Sequence, residues 1–209
     1  MISVPERGIY LASRSPRRRE LLSQIGVRYH LLLFRERIGE QPEVDETPLS
    51  GETPAAYVER MARAKAEAGW RRMLQRNLPP APVLAADTTV ALDGGIVGKP
   101  SDRAEAAEML AALSGRRHEV LTAVAVKNYD HLELAVSVSE VQVKQLSPEE
   151  IAQYVASGEA DDKAGAYAIQ GRAARFIIEL RGSYSGVAGL PLYETSRLLD
   201  KLRERRNPY

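Results

Sequence analysis

The sequence predicts an α/β protein with a mixed sheet. Apolar segments typical of strands alternate loosely with segments typical of helices, which favours parallel strands joined by helical connections. A hairpin signal, Asp93-Gly94-Gly95 between two apolar runs, adds antiparallel pairing. The 209 residues include 44% hydrophobic and 27% charged residues, enough for a substantial core. No linker divides the chain, so we expect residues 1–209 to form one domain.

The predicted helices begin at residues that cap helices and end near glycine or proline. Serine or threonine followed by proline opens three of them, and Ser147-Pro148-Glu149-Glu150 has the form of a capping box. The first predicted helix begins at Ser15-Pro16. The other four extend from Thr53-Pro54 to about Asn77, from Ser101 or Asp102 to Leu113, from Ser147 to Ser157-Gly158, and from Pro191 to about Arg205.

The predicted strands are short apolar or alternating runs bounded by turn residues. They are Ile9–Ala12, Tyr29–Phe34, Val83–Ala86, Val90–Leu92, Ile96-Val97, His118–Val126 and Leu132–Gln145. The polar, acidic segment 35–52 is predicted to be a loop, and the glycine-dense segment 158–190 a mixture of short strands and loops.

Composition excludes several classes of function. The 29 basic and 28 acidic residues give a net charge of +1 and aromatic residues make up 6%, which disfavours a nucleic-acid-binding module. The absence of cysteine excludes disulfides, thiolate metal sites and a cysteine nucleophile. The three histidines are widely spaced, which disfavours a histidine zinc site. No apolar run approaches the roughly 20 residues that span a bilayer, so we expect a cytoplasmic protein without a membrane partner.

A basic segment follows the first predicted strand. Ser13 and Ser15 lie in the turn, and Arg17, Arg18 and Arg19 lie in the first turn of the helix. A helix N-terminus has free N–H groups and a positive dipole end, and these arginines add full charges. The segment therefore suits a polyphosphate. The alternative is a solvated basic helix start.

Asp87 is the strongest candidate for chemistry. It follows the apolar strand Val83–Ala86, and the carboxyl end of a buried strand is where α/β sheets place ligands and catalytic groups. Such a carboxylate could bind Mg²⁺, deprotonate a water, or do both. The alternative is a turn aspartate that bonds its own backbone. Thr88 beside it offers a hydroxyl to a base or a phosphate.

Three further charged residues are weaker candidates. Lys99 stands between Gly98 and Pro100, where it could neutralise a phosphate oxygen, although the spacing is not that of a P-loop. Asp45-Glu46, in the predicted acidic loop, could supply a second carboxylate to a metal, since Mg²⁺ prefers one or two carboxylates with water and substrate phosphate. The alternatives are a turn lysine and a solvated loop, and Lys65 alone suggests an ordinary helix-surface residue.

Gln170 lies in a segment of small residues and glycines, 162–171. Small residues permit close backbone approach, and the glutamine amide carries both a donor and an acceptor that can pair with the edge of a nucleobase. A second glycine-rich loop, 182–191, precedes the last predicted helix. Flexible turns between strands are the alternative for both loops.

Six motifs in this order resemble the Maf family, once called septum-formation inhibitors. They are Leu-Ala-Ser-Arg-Ser-Pro-Arg-Arg, Ala-Ala-Asp-Thr, Gly-Lys-Pro, Leu-Ser-Gly-Arg-Arg-His-Glu-Val, Asp-Lys-Ala-Gly-Ala-Tyr-Ala-Ile-Gln-Gly and Gly-Ser-Tyr-Ser-Gly-Val-Ala-Gly-Leu-Pro-Leu-Tyr-Glu-Thr. The resemblance extends from about residue 9 to 200. It implies an elongated, two-lobed α/β fold like that of inosine triphosphate pyrophosphatases, with a cleft between the lobes.

The resemblance also implies an activity and a site. Members of the family hydrolyse nucleoside triphosphates to the monophosphate and pyrophosphate, and Asp87 matches their catalytic aspartate, the proposed general base. The phosphate-side loop and the charged cleft positions are matched by Ser13, Arg17, Arg18, Glu46, Lys65 and Lys99. The expected cofactor is Mg²⁺, Mn²⁺ or Co²⁺, held partly by Asp87 and Glu46, and the expected assembly is a homodimer.

Three positions indicate a branch of the family. The branch that acts on dTTP and UTP has arginine, threonine and glutamine where this chain has Arg17, Thr88 and Gln170. The branch that acts on 7-methyl-GTP differs at all three, so the resemblance favours a pyrimidine substrate. A non-catalytic nucleotide sensor that regulates cell division is the alternative, although a sensor needs no general base at Asp87.

Overall fold

The computed structural model describes residues 8–33 and 44–204. Its strands are β1 (Ile9–Leu11), β2 (Tyr29–Leu31), β3 (Val83–Leu92), β4 (Gly95–Val97), β5 (Arg117–Asn128), β6 (His131–Val143) and β7 (Ile177–Arg181). Its helices are α1 (Pro16–Gln24), α2 (Pro54–Gln75), α3 (Arg103–Leu113), α4 (Pro148–Ala156), α5 (Tyr184–Val187) and α6 (Leu192–Glu204). Two 3₁₀ turns, Ala164–Ala166 and Arg172–Phe176, lie between α4 and β7.

The strands form one mixed sheet, which confirms the predicted α/β class. Their spatial order is β2-β1-β3-β5-β6-β7, and β4 pairs with β3. β1 runs parallel to both β2 and β3, whereas the other pairs are antiparallel. The parallel part of the sheet ends early, because β1 pairs with β3 only at Val83 and Leu84.

Side-chain alternation along β3 divides the core between the two faces of the sheet. Val83 and Ala85 belong to the cluster that includes α2 residues such as Val58 and Ala62. Leu84 and Ala86 belong to the cluster formed with α1 and α6. A third cluster covers the far ends of β5 and β6 and is made largely by α3, α4 and the 3₁₀ turns. These three apolar clusters hold the sheet and its helices together.

Most of the predicted caps are confirmed. Thr53 accepts a hydrogen bond from the Ala56 N–H (3.3 Å), and Asp102, rather than Ser101, accepts one from the Glu105 N–H (2.9 Å). Ser147 and Glu150 form the predicted capping box at α4. Ser15 occupies the N-cap of α1, but its side chain makes no cap bond; instead its N–H donates to Ser13 Oγ (3.2 Å).

Two local predictions are wrong. The runs Val83–Ala86 and Val90–Leu92 are one strand, because Asp87 and its two following threonines keep their pairing with β5. Asp87 is therefore within a strand, beyond the end of its parallel neighbour β1, and is not a turn aspartate. Segment 158–190 contains mainly short helical turns and a single strand, β7, since small residues there allow tight left-handed turns.

Parts of the predicted elements lie outside the described residues. These parts are Phe34, the first portion of loop 35–52 and the helix end at Arg205. Within residues 8–33 and 44–204, no helix is both long and apolar enough to cross a bilayer.

Candidate active site

The candidate site lies along an open stretch of one edge of β3. β1 covers this edge at Val83 and Leu84, and β4 covers it from Val90 onward. In the described part of the chain, no strand pairs with residues 85–89 on this edge. The chain leaves β1 here and turns into α1, so that the basic start of α1 lies beside Thr88.

A chain of alternating charges lies on the α2 face of the sheet. The Lys65 ammonium contacts Asp87 Oδ1 and Glu46 Oε1, both at 2.6 Å. Glu46 in turn contacts Lys99 through Oε2, at 3.1 Å. The side chains of Lys65 and Asp87 are only 15% and 10% exposed. Lys65 is therefore not the ordinary helix-surface residue that its sequence context alone suggests.

The electrostatics of this group are dominated by its lysines. Burial opposes the charge of Glu46, but Lys65 and Lys99 outweigh it and hold the pKa of Glu46 below its ordinary value. Tyr57 lies on the same side and donates its hydroxyl to the Glu46 carbonyl (3.0 Å). Burial, with the charges of Asp87 and Glu46, raises the pKa of Tyr57 to about 12, so the phenol stays protonated.

Arg18 forms a second group on the opposite face. Its Nε donates to the Gly189 carbonyl (2.7 Å), one terminal nitrogen donates to Thr88 Oγ1 (3.3 Å), and the other donates to Ser13 Oγ (3.4 Å). Burial lowers the pKa of Arg18, although Asp87 and Glu46 favour its charge. Arg18 thus has neutral hydrogen-bond partners that fix its direction without cancelling its charge.

A hydroxyl pair extends this second group into the sheet. Thr122 Oγ1 donates to the Gly186 carbonyl (2.8 Å) and lies 2.9 Å from Thr88 Oγ1. A carbonyl can only accept, so the single proton of Thr122 is used there and the Thr88 hydroxyl must donate to Thr122. Thr88 is left with acceptor lone pairs, one of which receives Arg18.

Gly189 is conformationally required beside Arg18. Its φ of +111° lies in a region that other residues rarely adopt, and an added Cβ would lie 3.7 Å from Arg18 Nε. The glycine-rich loop therefore turns its carbonyl toward the arginine, a contact between residues 171 positions apart.

Arg17 and Gln170 form the third group. With the Gln170 amide oriented so that its oxygen faces Arg17, that oxygen accepts from Arg17 Nε (3.0 Å) and from a terminal nitrogen (3.1 Å). The Gln170 amino group then points away from Arg17. Burial lowers the pKa of Arg17.

The structure thus brings the nine predicted site residues into three groups around one stretch of β3 and α1. Sequence reasoning missed Tyr57 and Thr122. Tyr57 precedes Lys65 by two helical turns and so shares its face of α2, a spacing visible in the sequence. Thr122 is a fully buried polar residue in the apolar run of β5, but nothing in the sequence identifies its partner, the Gly186 carbonyl of α5.

Two carboxylates of the site, those of Asp87 and Glu46, are potential ligands of a divalent cation. The described residues contain no cluster of three or more histidine, cysteine, aspartate or glutamate side chains. Asp87 and Glu46 nevertheless each place one carboxylate oxygen against the same atom, Nζ of Lys65. Two carboxylates fit the way Mg²⁺ binds when substrate phosphates and water complete its octahedron, and do not fit a closed protein cage.

The fold and the site together define an α/β protein with a cluster of cationic side chains around one nearly buried aspartate. Its family is shown by sequence comparison: the family model described as Maf-like protein matches residues 8–202. The chain belongs to this family, as its six motifs indicate.

Named relatives resemble the chain over nearly its full length. A dTTP/UTP pyrophosphatase of Nitrosomonas europaea is 58% identical over 201 residues, covering 96% of this chain and 97% of the relative. Proteins of the same name from Aromatoleum aromaticum and Dechloromonas aromatica are 59% and 55% identical over 194 residues each, covering 92% and 93% of this chain and 94% and 96% of the relatives. A solved structure of the Staphylococcus aureus Ham1 protein is 16% identical, with a TM-score of 0.49 over 93% of this chain and 98% of that one.

Proposed function

We propose that this chain is a nucleoside triphosphate pyrophosphatase that hydrolyses dTTP and UTP to the monophosphate and pyrophosphate. The observation that carries the proposal is the contact between Asp87 and Lys65 at the open edge of β3, with two arginines and a second lysine around it. The names of relatives more than 50% identical support the same reaction.

The cations of the site suit a triphosphate. Arg18 is held by carbonyl and hydroxyl oxygens, and Arg17 by an amide oxygen, so that both retain their charge for an anion. Lys65 and Lys99 are paired with carboxylates and lie on the other side of β3. We assign these four side chains to the phosphates, where they stabilise the charge that grows on the leaving pyrophosphate. Ser13 orients Arg18 through its hydroxyl.

Asp87 is assigned the role of general base. Lys65 engages Oδ1, so Oδ2 is the oxygen available to a water molecule. The water gives its proton to Asp87 as its oxygen bonds to phosphorus, and the bridge between the α and β phosphates breaks. The bridging electron pair leaves with pyrophosphate, whose charge is met by the surrounding cations.

Asp87 and Glu46 are the residues assigned to a divalent cation, Mg²⁺, Mn²⁺ or Co²⁺. When bound, such a cation would neutralise phosphate charge and help to orient the triphosphate. In this structure the Lys65 ammonium contacts both carboxylates, so Asp87 and Glu46 would hold the cation in exchange for a contact with Lys65.

Base choice follows from the direction of two polar groups. Arg17 turns the Gln170 oxygen inward, which leaves the amino group as a donor for a carbonyl oxygen of the base. Thr88 donates to Thr122 and has only lone pairs left, which suit the N3–H of the base. Uracil and thymine present both O4 and N3–H, whereas cytosine has an amino group in place of O4 and no hydrogen on N3.

A panel of nucleoside triphosphates tests the proposal. Purified protein with Mg²⁺, Mn²⁺ or Co²⁺ is expected to release pyrophosphate from dTTP and UTP, and more slowly from CTP and the purine nucleotides. Release of orthophosphate alone, or activity confined to 7-methyl-GTP, would contradict it. Nucleotide binding without turnover would instead support a sensor.

The assembly and location are proposed on family resemblance alone. We propose a homodimer that acts in the cytoplasm on free nucleotides. Light scattering on the purified protein at micromolar concentration should give twice the chain mass of 23.1 kDa. A mass of a single chain would contradict the dimer.

A further inference from the structure

The segment that precedes Gln170 is buried although Gln170 itself is exposed. Ala166, Tyr167, Ala168 and Ile169 are each at most 8% exposed. The backbone that presents the Gln170 amide is therefore held inside the protein, and its position depends on what it contacts there.

His118 of β5 makes the first contact. Its Nε2 lies 2.8 Å from the Tyr167 hydroxyl, and the two rings meet edge to face with centroids 5.5 Å apart. Burial lowers the pKa of His118 to about 4, so the ring is neutral at neutral pH. Its Nδ1 is buried and has no hydrogen-bond partner among residues 8–33 and 44–204. The polar contact that the ring supplies is thus the one to Tyr167.

Tyr154 of α4 makes the second contact. Its hydroxyl accepts a hydrogen bond from the Ala168 backbone N–H (3.1 Å), two residues before Gln170. Tyr154 is 1% exposed, and its ring packs edge-on against Phe176 at 5.5 Å. A buried N–H held by a rigid aromatic side chain fixes the backbone more firmly than a solvated turn does.

The other end of the segment is attached to the loop that carries Lys99. The Gly165 N–H donates to the Gly98 carbonyl (3.0 Å). Gly165 has a φ of +68°, and a Cβ there would lie 2.8 Å from Val90 Cγ2. The segment is therefore fixed against β3, β5 and α4 at once.

We propose that Tyr167, His118 and Tyr154 are positioning residues for base selection. None of them is assigned a contact with the nucleotide. They hold the backbone so that the Gln170 amide meets Arg17 and directs its amino group at the base. The inference rests on the proposed function, because it concerns how the same site chooses its substrate.

The test is a double-mutant cycle between the buried hydrogen bonds and Gln170. Tyr167→Phe and Tyr154→Phe remove one hydroxyl each and keep the ring. We expect each to lower the ratio of kcat/KM for UTP to that for CTP about fivefold to tenfold, mainly through a higher KM for UTP, with kcat little changed. In a Gln170→Ala background, the same substitutions should leave this ratio unchanged. Tyr193→Phe is the matched control, because Tyr193 is 68% exposed on α6.

The outcomes separate this inference from the proposed function. If the wild-type protein releases no pyrophosphate from any nucleotide, the proposed function fails, and this inference with it. Two results with an active wild-type protein would overturn this inference alone and show that the tyrosines only support the fold. In the first, the tyrosine substitutions lower kcat equally for all nucleotides. In the second, they change the ratio of kcat/KM for UTP to that for CTP as much in the Gln170→Ala background as in the wild-type protein. His118→Phe, which removes the partner of Tyr167, tests the same hydrogen bond if Tyr167→Phe fails to fold.

Discussion

Asp87 and Thr88 are adjacent on β3, yet their side chains are held from opposite faces of the sheet. Asp87 contacts Lys65 of α2 at 2.6 Å, and Thr88 contacts Arg18 of α1 at 3.3 Å. Strand geometry produces this division, because successive side chains point to opposite faces. Both groups lie at residues 85–89 of β3, the stretch that β1 leaves unpaired because it ends at Leu11.

Thr122→Val should impair the Arg18 side of the site. The substitution is nearly isosteric, but it leaves the Thr88 hydroxyl without its acceptor and removes one donor to the Gly186 carbonyl, which still accepts from the Gly189 N–H (2.9 Å). We expect a loss of about 1–3 kcal/mol in the free energy of unfolding and roughly a tenfold lower kcat/KM for UTP. Urea unfolding and steady-state kinetics measure the two effects, and Thr122→Ser should restore most of both.

Thr195 provides a matched control for that substitution. It is also fully buried, but within the described part of the chain its Oγ1 has no hydrogen-bond partner. Thr195→Val should therefore leave the stability unchanged or raise it, and should not alter kinetics. Equal losses in the two variants would show that burial of a threonine, and not the hydroxyl pair, explains the effect of Thr122→Val.

Glu46→Gln should weaken the response to the divalent cation. It removes one of the two carboxylates assigned to the cation and leaves Lys65 paired with Asp87 alone. We expect the Mg²⁺ concentration for half-maximal pyrophosphate release to rise about tenfold. Titration of Mg²⁺ at saturating UTP measures it, and an unchanged half-saturation point would remove Glu46 from the cation site.

His118 should make the protein less stable in mild acid. Its folded pKa of about 4 lies below the ordinary 6.5, because burial disfavours the charged ring. Below pH 6.5 the His118 imidazole binds a proton in the unfolded chain, whereas in the folded protein it stays neutral until the pH approaches 4. The contribution of His118 to the free energy of unfolding is therefore complete above pH 6.5 and falls by about 3 kcal/mol on acidification to pH 4.

Unfolding measured from pH 7 to pH 4 checks this contribution. His118→Gln, which cannot titrate, should show a correspondingly shallower fall over this window. His131→Gln replaces an exposed histidine and should follow the wild-type curve. A wild-type slope in His118→Gln would show that another group causes the acid sensitivity.

Local chemistry made most of the fold predictable. Thr53, Asp102 and the Ser147–Glu150 pair cap their helices because a side-chain oxygen meets a free N–H a few residues away. The break predicted after Ala86 was wrong for a non-local reason. Aspartate is depleted in strands and so suggests a strand end at Asp87, but the pairing of Asp87 and Thr88 with Ala123 and Thr122 of β5 continues the strand.

The residues of the candidate site could be predicted from the sequence, but most of the contacts that hold their side chains in place could not. The sequence motifs indicate Arg18 and Thr88, but the partners that fix them, Gly189 and Thr122, approach only through the tertiary fold. Lys65 lies on a helix with many charges and has no local signal that separates it from its neighbours. Its contact with Asp87 depends on α2 packing over β3, which residue spacing alone does not specify.

Replacement of Asp87 tests the central claim most directly. Asp87→Asn keeps the shape of the side chain and can still accept from Lys65, but it cannot take a proton from water. The account predicts that pyrophosphate release from UTP falls by about a thousandfold or more while thermal unfolding and nucleotide binding remain near those of the wild-type protein. Asp93→Asn, in the exposed β3–β4 turn, should leave the rate unchanged. Turnover of UTP by Asp87→Asn at the wild-type rate would contradict the account.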